Sequence, residues 1–123
     1  MDWNQNCFNK DVIVMTKITI FKKEGKIWSY QIKGHSGFAE EGKDIVCSAI
    51  STASQMTLLG LEDVLNLKVE SDIQDGYMQV KVLDDFQNES VQILMKTLEK
   101  TLEHFAKEYA KFVKMEVKEN VVY

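Results

Sequence analysis

The sequence predicts an α+β domain with the order ββαββαβ, in which an antiparallel-rich sheet is packed with two helices. Several short segments alternate apolar and polar residues, and two longer segments do not. Hairpins interrupted by helices are typical of this class, because the helices bury one face of the sheet. The chain has 123 residues, a length that suits one domain with one core.

The first half of the chain predicts a hairpin followed by a helix. Residues 16–22 alternate, Glu24-Gly25 supplies a turn, and a second strand follows. The apolar residues that alternate on this second strand are Trp28, Tyr30 and Ile32. Residues 45–65 combine small residues with apolar groups on most sides, which indicates a buried helix.

The second half predicts another hairpin, a long helix and a last strand. Residues 67–73 and 78–83 flank the turn Asp75-Gly76, and residues 113–117 alternate as the final strand. Between them, apolar residues recur at spacings of three and four: Val91, Leu94, Leu98, Leu102, Phe105, Tyr109 and Phe112. Residues 1–14 fit none of these patterns. We expect them to be a flexible N-terminal extension of a single domain that spans residues 15–123.

Composition excludes several classes of protein. The net charge of −4 argues against nucleic-acid binding, because neutralising phosphates requires clustered Lys and Arg. No apolar run is long enough to cross a bilayer, and the N-terminus lacks the order of a secretory signal. We therefore expect a cytoplasmic protein without membrane contact. Of the two cysteines, Cys7 looks incidental, and a lone disulfide with Cys47 is not expected in a cytosol.

Residues 34–51, GHSGFAEEGKDIVCSAIS, contain a near-match to a phosphate-binding P-loop. Gly37, Gly42 and Lys43 fit that motif, but Asp44 occupies the position that requires a hydroxyl. Two glutamates add to its negative charge, so the loop would repel a nucleotide. The possible metal ligands here match no common zinc spacing, and the glutamates are better explained as solvated loop residues. We expect no metal and no cofactor.

A cysteine nucleophile explains the same residues better. If Asp44 caps a helix, Cys47 falls in its first turn, where the helix dipole stabilises a thiolate. His35 ends the preceding strand at the same rim of the sheet, where it could serve as general base. Asp44, Cys47 and Ser51 line one stripe of the helix, since they are three and four residues apart. Asp44 could hold the imidazolium or cap the helix, and Ser51 could donate a hydrogen bond near the thiolate.

Each of these residues also has an ordinary structural explanation. A cysteine on an apolar helix is most often a small core residue, and a histidine at a strand end is most often on the surface. Asp44 alone is most simply a helix cap, and Ser51 a packing residue. From chemistry alone, a catalytic site and a non-catalytic binding protein therefore both stay open.

One family resemblance favours the catalytic alternative. Gly34-His35, eleven residues between His35 and Cys47, the run Asp-Ile-Val-Cys at 44–47, and Ser51 resemble the ribosomal-processing cysteine protease family. The resemblance extends from about residue 15 to 117 and includes the element order. Ser36 and Ser48 stand where the family often has alanine. Both residues are small, so this difference affects only the polarity of the pocket.

The resemblance implies a cytoplasmic bacterial endopeptidase that acts without metal or cofactor as a homodimer. Its substrate would be the short N-terminal extension of large-subunit ribosomal protein number twenty-seven. By motif position, Cys47 would be the nucleophile, His35 its base, and Asp44 and Ser51 the supporting pair. The alternative is a ribosome-associated assembly factor in which Cys47 is a core residue.

The glycines of this segment predict a mobile loop. Gly34, Gly37 and Gly42 would let residues 34–44 close over a substrate and complete the site.

Overall fold

The structure, a computed structural model, describes residues 16–34 and 43–120 and gives only the backbone of 43–45. Five strands form one sheet: β1 (Thr16–Lys23), β2 (Lys26–Lys33), β3 (Val69–Gln74), β4 (Tyr77–Val82) and β5 (Val113–Glu119). The helices are α1 (Lys43–Leu59) and α2 (Glu89–Glu108). The predicted order ββαββαβ is confirmed.

The sheet is mixed, with the strand order β3-β4-β2-β1-β5. The pairs β1–β2, β2–β4 and β3–β4 are antiparallel, whereas β1 and β5 are parallel. Parallel neighbours need a crossover connection rather than a tight turn. Here the segment between β4 and β5 contains α2, which brings the last strand back beside the first.

The core lies between one face of the sheet and the two helices. Apolar side chains from both layers meet there with almost no exposure: Ile18, Ile20, Tyr30, Ile32, Val46, Ile50, Met95 and Leu102. The Tyr30 hydroxyl donates to the carbonyl of Ser54, 2.7 Å away, and so ties α1 to β2. Burial, with a smaller contribution from the Glu62 carboxylate, raises the pKa of Tyr30 far above its usual value, so this donor keeps its proton.

The two helices approach each other closely where α1 ends. A π-helical turn, Gly60–Val64, follows α1 directly. A Cβ placed at Gly60 would lie 2.7 Å from Cδ2 of Leu94 on α2, so any other residue there would force Leu94 to move. In the described part of the chain, neither helix combines the length and apolar composition that membrane crossing requires.

A bulge interrupts the predicted alternation on β2. Phe21 pairs with Ser29 but Lys22 pairs with Ile27, so Trp28 is an extra residue between them. Its ring lies 6.4 Å from the ring of Phe21, and the ammonium of Lys23 lies 4.2 Å from the Trp28 ring centroid. The prediction that Trp28 continues the pattern of Tyr30 and Ile32 is therefore wrong.

The buried amide of Gln92 completes the hydrogen bonding beside this bulge. It accepts from the N–H of Ile27 at 2.9 Å and donates to the Ile27 carbonyl at 2.8 Å. Its nitrogen also donates to the carbonyl of Phe86 at 2.6 Å. One side chain of α2 thus serves two backbone segments, β2 and the connection that leads into α2.

Candidate active site

The candidate site begins at the end of the sheet where β2 stops. Gly34 follows β2, and its N–H donates to the carbonyl of Gly76 in the β3–β4 turn, 2.7 Å away. Gly34 has φ +77°, a left-handed conformation that residues with a Cβ rarely adopt. The backbone conformation with which the chain leaves the sheet at this point therefore favours glycine. His35, Gly37 and Gly42 lie outside the described residues, so the motion of the loop stays a prediction.

The start of α1 differs from the sequence-based expectation. The helix begins at Lys43, so the backbone of Asp44 is already helical and Asp44 is not its N-cap. Cys47 is consequently the fifth helical residue rather than the third. The helix dipole acts mainly within the first turn. Its effect on the Cys47 thiol is therefore weaker at the fifth helical position than at the third position, which the sequence had predicted. The predicted activation of Cys47 by His35 stays a prediction, because His35 lies outside the described residues.

Cys47 lies on the sheet-facing side of α1 and is only 4% exposed. Its neighbours Val46 and Ile50 are buried in the core, and Ser51 is 6% exposed. A peptide carbonyl would reach the sulfur only after some of the groups that cover it have moved. Of the predicted site residues, the described structure places Cys47 and Ser51 together on one buried stripe.

The same stripe includes a residue that the sequence analysis missed. Gln55 is four residues after Ser51, and its Nε2 donates to the Ser51 Oγ at 3.0 Å. The repeated spacing of four from Cys47 is the signal that could have identified it. The side chain of Asp44 lies outside the described part, so its predicted supporting role stays a prediction.

Cys47 is disulfide-bonded in this structure. The sequence contains one other cysteine, Cys7, which lies outside the described residues. The expectation that this disulfide would not form in a cytosol concerns the redox compartment and stays a prediction. Since a cysteine reacts as its thiolate, the predicted role of Cys47 as nucleophile requires the reduced sulfur.

We expect iodoacetamide to label Cys47 only after reduction. The untreated chain and a chain treated with a phosphine reductant would be alkylated, digested and compared by mass spectrometry. The peptide that contains Cys47 should gain the label in the reduced sample alone, because a sulfur in a disulfide carries no thiolate. Equal labelling without reductant would contradict the disulfide.

Comparison with known proteins identifies the family. Residues 15–114 match the family described as cysteine protease Prp. None of the curated proteins compared matches the chain. Among solved structures, SMU.848 from Streptococcus mutans has a TM-score of 0.77 and 28% identity, over 87% of this chain and 97% of that chain.

The fold is also similar to that of the essential ribosomal processing protease Prp from S. aureus. Its complex with a substrate peptide has a TM-score of 0.76 and 20% identity, over 85% of this chain and 100% of that chain. Its complex with a covalently linked product peptide has a TM-score of 0.76 and 21% identity, with the same coverage.

The family match includes both helices, the first four strands and the whole segment 34–51. Membership of a protease family sets aside the alternative of a non-catalytic assembly factor. The chain belongs to the cysteine protease Prp family and is a peptidase.

Proposed function

We propose that this chain is the endopeptidase that removes the short N-terminal extension of bacterial large-subunit ribosomal protein number twenty-seven. The observation that carries the proposal is the position of Cys47 near the start of α1, within the family match and one turn before Ser51. The similar S. aureus protein is named a ribosomal processing protease and was solved with a substrate peptide. An acidic enzyme also suits a basic ribosomal substrate, because opposite charge speeds encounter.

The proposed reaction proceeds through an acyl-enzyme. In the reduced protein, His35 removes the Cys47 proton and the thiolate attacks the scissile carbonyl carbon. The imidazolium then protonates the departing amine, which leaves a thioester on Cys47, and water hydrolyses it. The N–H groups in the first turn of an α-helix have no partner within the helix, so those of α1 are suited to stabilise the oxyanion. Asp44 would hold the imidazolium, and Ser51 would donate to the thiolate.

A defined peptide tests the substrate assignment. The reduced protein would be incubated with a synthetic peptide that spans the ribosomal extension and its junction with the mature protein, and the products identified by mass spectrometry. We expect a single cut that releases the extension. A scrambled peptide of the same composition serves as control and should stay intact. An intact native peptide, or equal cleavage of both, would overturn the assignment.

The proposed enzyme is a homodimer that buries the apolar face, defined here as the exposed residues Met56, Leu59, Val64 and Ile93. Their exposed fractions are 65%, 54%, 74% and 61%. They line a groove of about 490 Å³ between α1 and α2, and none of the described residues that line it is charged. A contiguous apolar patch of this kind marks an interaction site. A second copy suits it, since a two-fold dimer presents the same patch twice.

Charge placed in the apolar face should separate the dimer. We expect Leu59→Glu to shift the protein from dimer to monomer in analytical ultracentrifugation, because a buried unpaired carboxylate opposes association. Leu83→Glu is the matched control, since Leu83 is also 54% exposed but does not line the groove. If Leu59→Glu leaves the mass unchanged, or Leu83→Glu lowers it equally, the apolar face is not the interface.

Gly34→Ala should impair cleavage more than stability. A Cβ in the left-handed region costs roughly 1 kcal/mol and would change how the chain enters the segment that contains His35. Gly25→Ala is a close control, because Gly25 has φ +78° against +77° for Gly34 and lies in the β1–β2 turn. Both variants should lose similar stability in urea unfolding, while only Gly34→Ala should lower kcat/KM. Equal kcat/KM for the two variants would exclude a specific role for Gly34.

A further inference from the structure

We infer that Gln55 is a positioning residue that holds the Ser51 hydroxyl in place for the Cys47 thiolate, an inference that rests on the proposed role of Cys47. The observation is the hydrogen bond from Gln55 Nε2 to Ser51 Oγ, 3.0 Å long. Gln55 is not among the residues that the sequence predicted for the site, and it would act without contacting the reacting atoms.

Helix geometry places the three side chains in one row. Residues four apart lie on the same face, and each Cα–Cβ bond tilts toward the helix N-terminus. The Gln55 side chain therefore extends back over the helical turn that contains Ser51, as its hydrogen bond shows. By the same geometry, the Ser51 side chain extends toward the turn that contains Cys47. Cys47 and Ser51 are 4% and 6% exposed, so water competes little for a hydrogen bond between the Ser51 hydroxyl and the Cys47 sulfur.

The direction of the Gln55 bond decides what the serine can do. Ser51 Oγ accepts the hydrogen bond from Gln55 on its C-terminal side, which leaves the Ser51 O–H to donate to a second acceptor; in our inference that acceptor lies on the preceding turn, which contains Cys47. When Cys47 is ionised, its thiolate is a charged acceptor on that turn. Hydrogen bonds to charged acceptors are stronger than those to neutral ones, so the Ser51 hydroxyl would favour the thiolate.

Other hydroxyls in the helices show what Ser51 would do without this constraint. Those of Thr57, Thr97 and Thr101 donate to the carbonyl four residues earlier, at 2.8, 2.6 and 2.8 Å. For Ser51 that acceptor is the carbonyl of Cys47, and without the Gln55 amide to hold Oγ the hydroxyl would favour this carbonyl over the Cys47 sulfur. Losing Gln55 would then weaken the support of the thiolate without removing Ser51.

The test is a double-mutant cycle on the reduced, full-length protein with Gln55→Met and Ser51→Ala. Alkylation of Cys47 by iodoacetamide across pH reports the thiol pKa, and peptide cleavage reports kcat and KM. We expect Gln55→Met to raise the thiol pKa by about half a unit and to lower kcat about threefold with KM unchanged. In the Ser51→Ala background, the same change should have no further effect. Gln87→Met, an exposed change outside the helices, is the control and should alter neither quantity.

The outcomes separate this inference from the proposed function. Additive effects of the two changes, or an unshifted alkylation profile in Gln55→Met, overturn the role of Gln55 even if the enzyme cleaves its peptide. A shifted profile that disappears in the Ser51→Ala background supports it even if the ribosomal peptide is not cut, because alkylation needs no substrate. Gln55→Leu should reproduce the Gln55→Met result, since both variants lack the N–H donor. Leucine and methionine differ in shape, so the same result from both would point to the lost hydrogen bond rather than to altered packing.

Discussion

Cys47→Ala is expected to lower kcat/KM for the ribosomal peptide by roughly 10⁴-fold or more, because it removes the proposed nucleophile. The substitution takes one sulfur from a buried position and leaves a residue of high helix propensity, so the fold should persist. Initial rates of product formation, measured on reduced protein by mass spectrometry, would give the ratio.

Ser48→Ala is the matched control for this substitution. Ser48 is the next residue on α1, and its side chain is exposed rather than buried. It also stands where the family often has alanine, so the variant should retain full activity. Similar rates for Cys47→Ala and Ser48→Ala would contradict the assignment of Cys47 as nucleophile.

Gln92→Leu is expected to lower the free energy of unfolding by about 3 kcal/mol, because it leaves buried backbone groups without partners. The amide serves both the N–H and the carbonyl of Ile27, as well as the carbonyl of Phe86. Leucine fills a similar volume, so lost hydrogen bonds rather than a cavity would cause the change. Urea unfolding followed by circular dichroism would measure it.

The control for this prediction is Gln87→Leu, the same chemical change at an exposed position. It should alter stability by no more than about 0.5 kcal/mol. A change below about 1 kcal/mol in Gln92→Leu would mean that water replaces the amide at Ile27 and Phe86.

The prediction of the fold succeeded where the signal is local. Helices and strands impose periods of 3.6 and 2 on the sequence, so both helices and all five strands could be predicted from residues close together in the chain. The family could likewise be identified from the segment 34–51, because its motif lies within one short stretch of the chain. The division at residue 15 stays a prediction, because residues 1–14 lie outside the described part.

The sequence-based prediction failed where the position of a residue depends on a contact with another residue far away in the sequence. Trp28 leaves its expected alternation because β1 and β2 shift register, and Gln92 is buried because its amide pairs with Ile27, 65 positions away. No periodicity of one segment reveals such pairs.

The amino-acid sequence alone was sufficient for the element order, the family and the choice of Cys47, His35, Asp44 and Ser51 as candidates, because each depends on spacing within a short stretch. Tertiary structure decided the parallel pairing of β5 with β1, the position of Cys47 as the fifth residue of α1 and the burial of its side chain. It also brought the Gln55 amide within hydrogen-bond distance of the Ser51 hydroxyl. These features depend on which surfaces meet when the chain folds, and burial and hydrogen bonding select among arrangements that the local pattern permits equally.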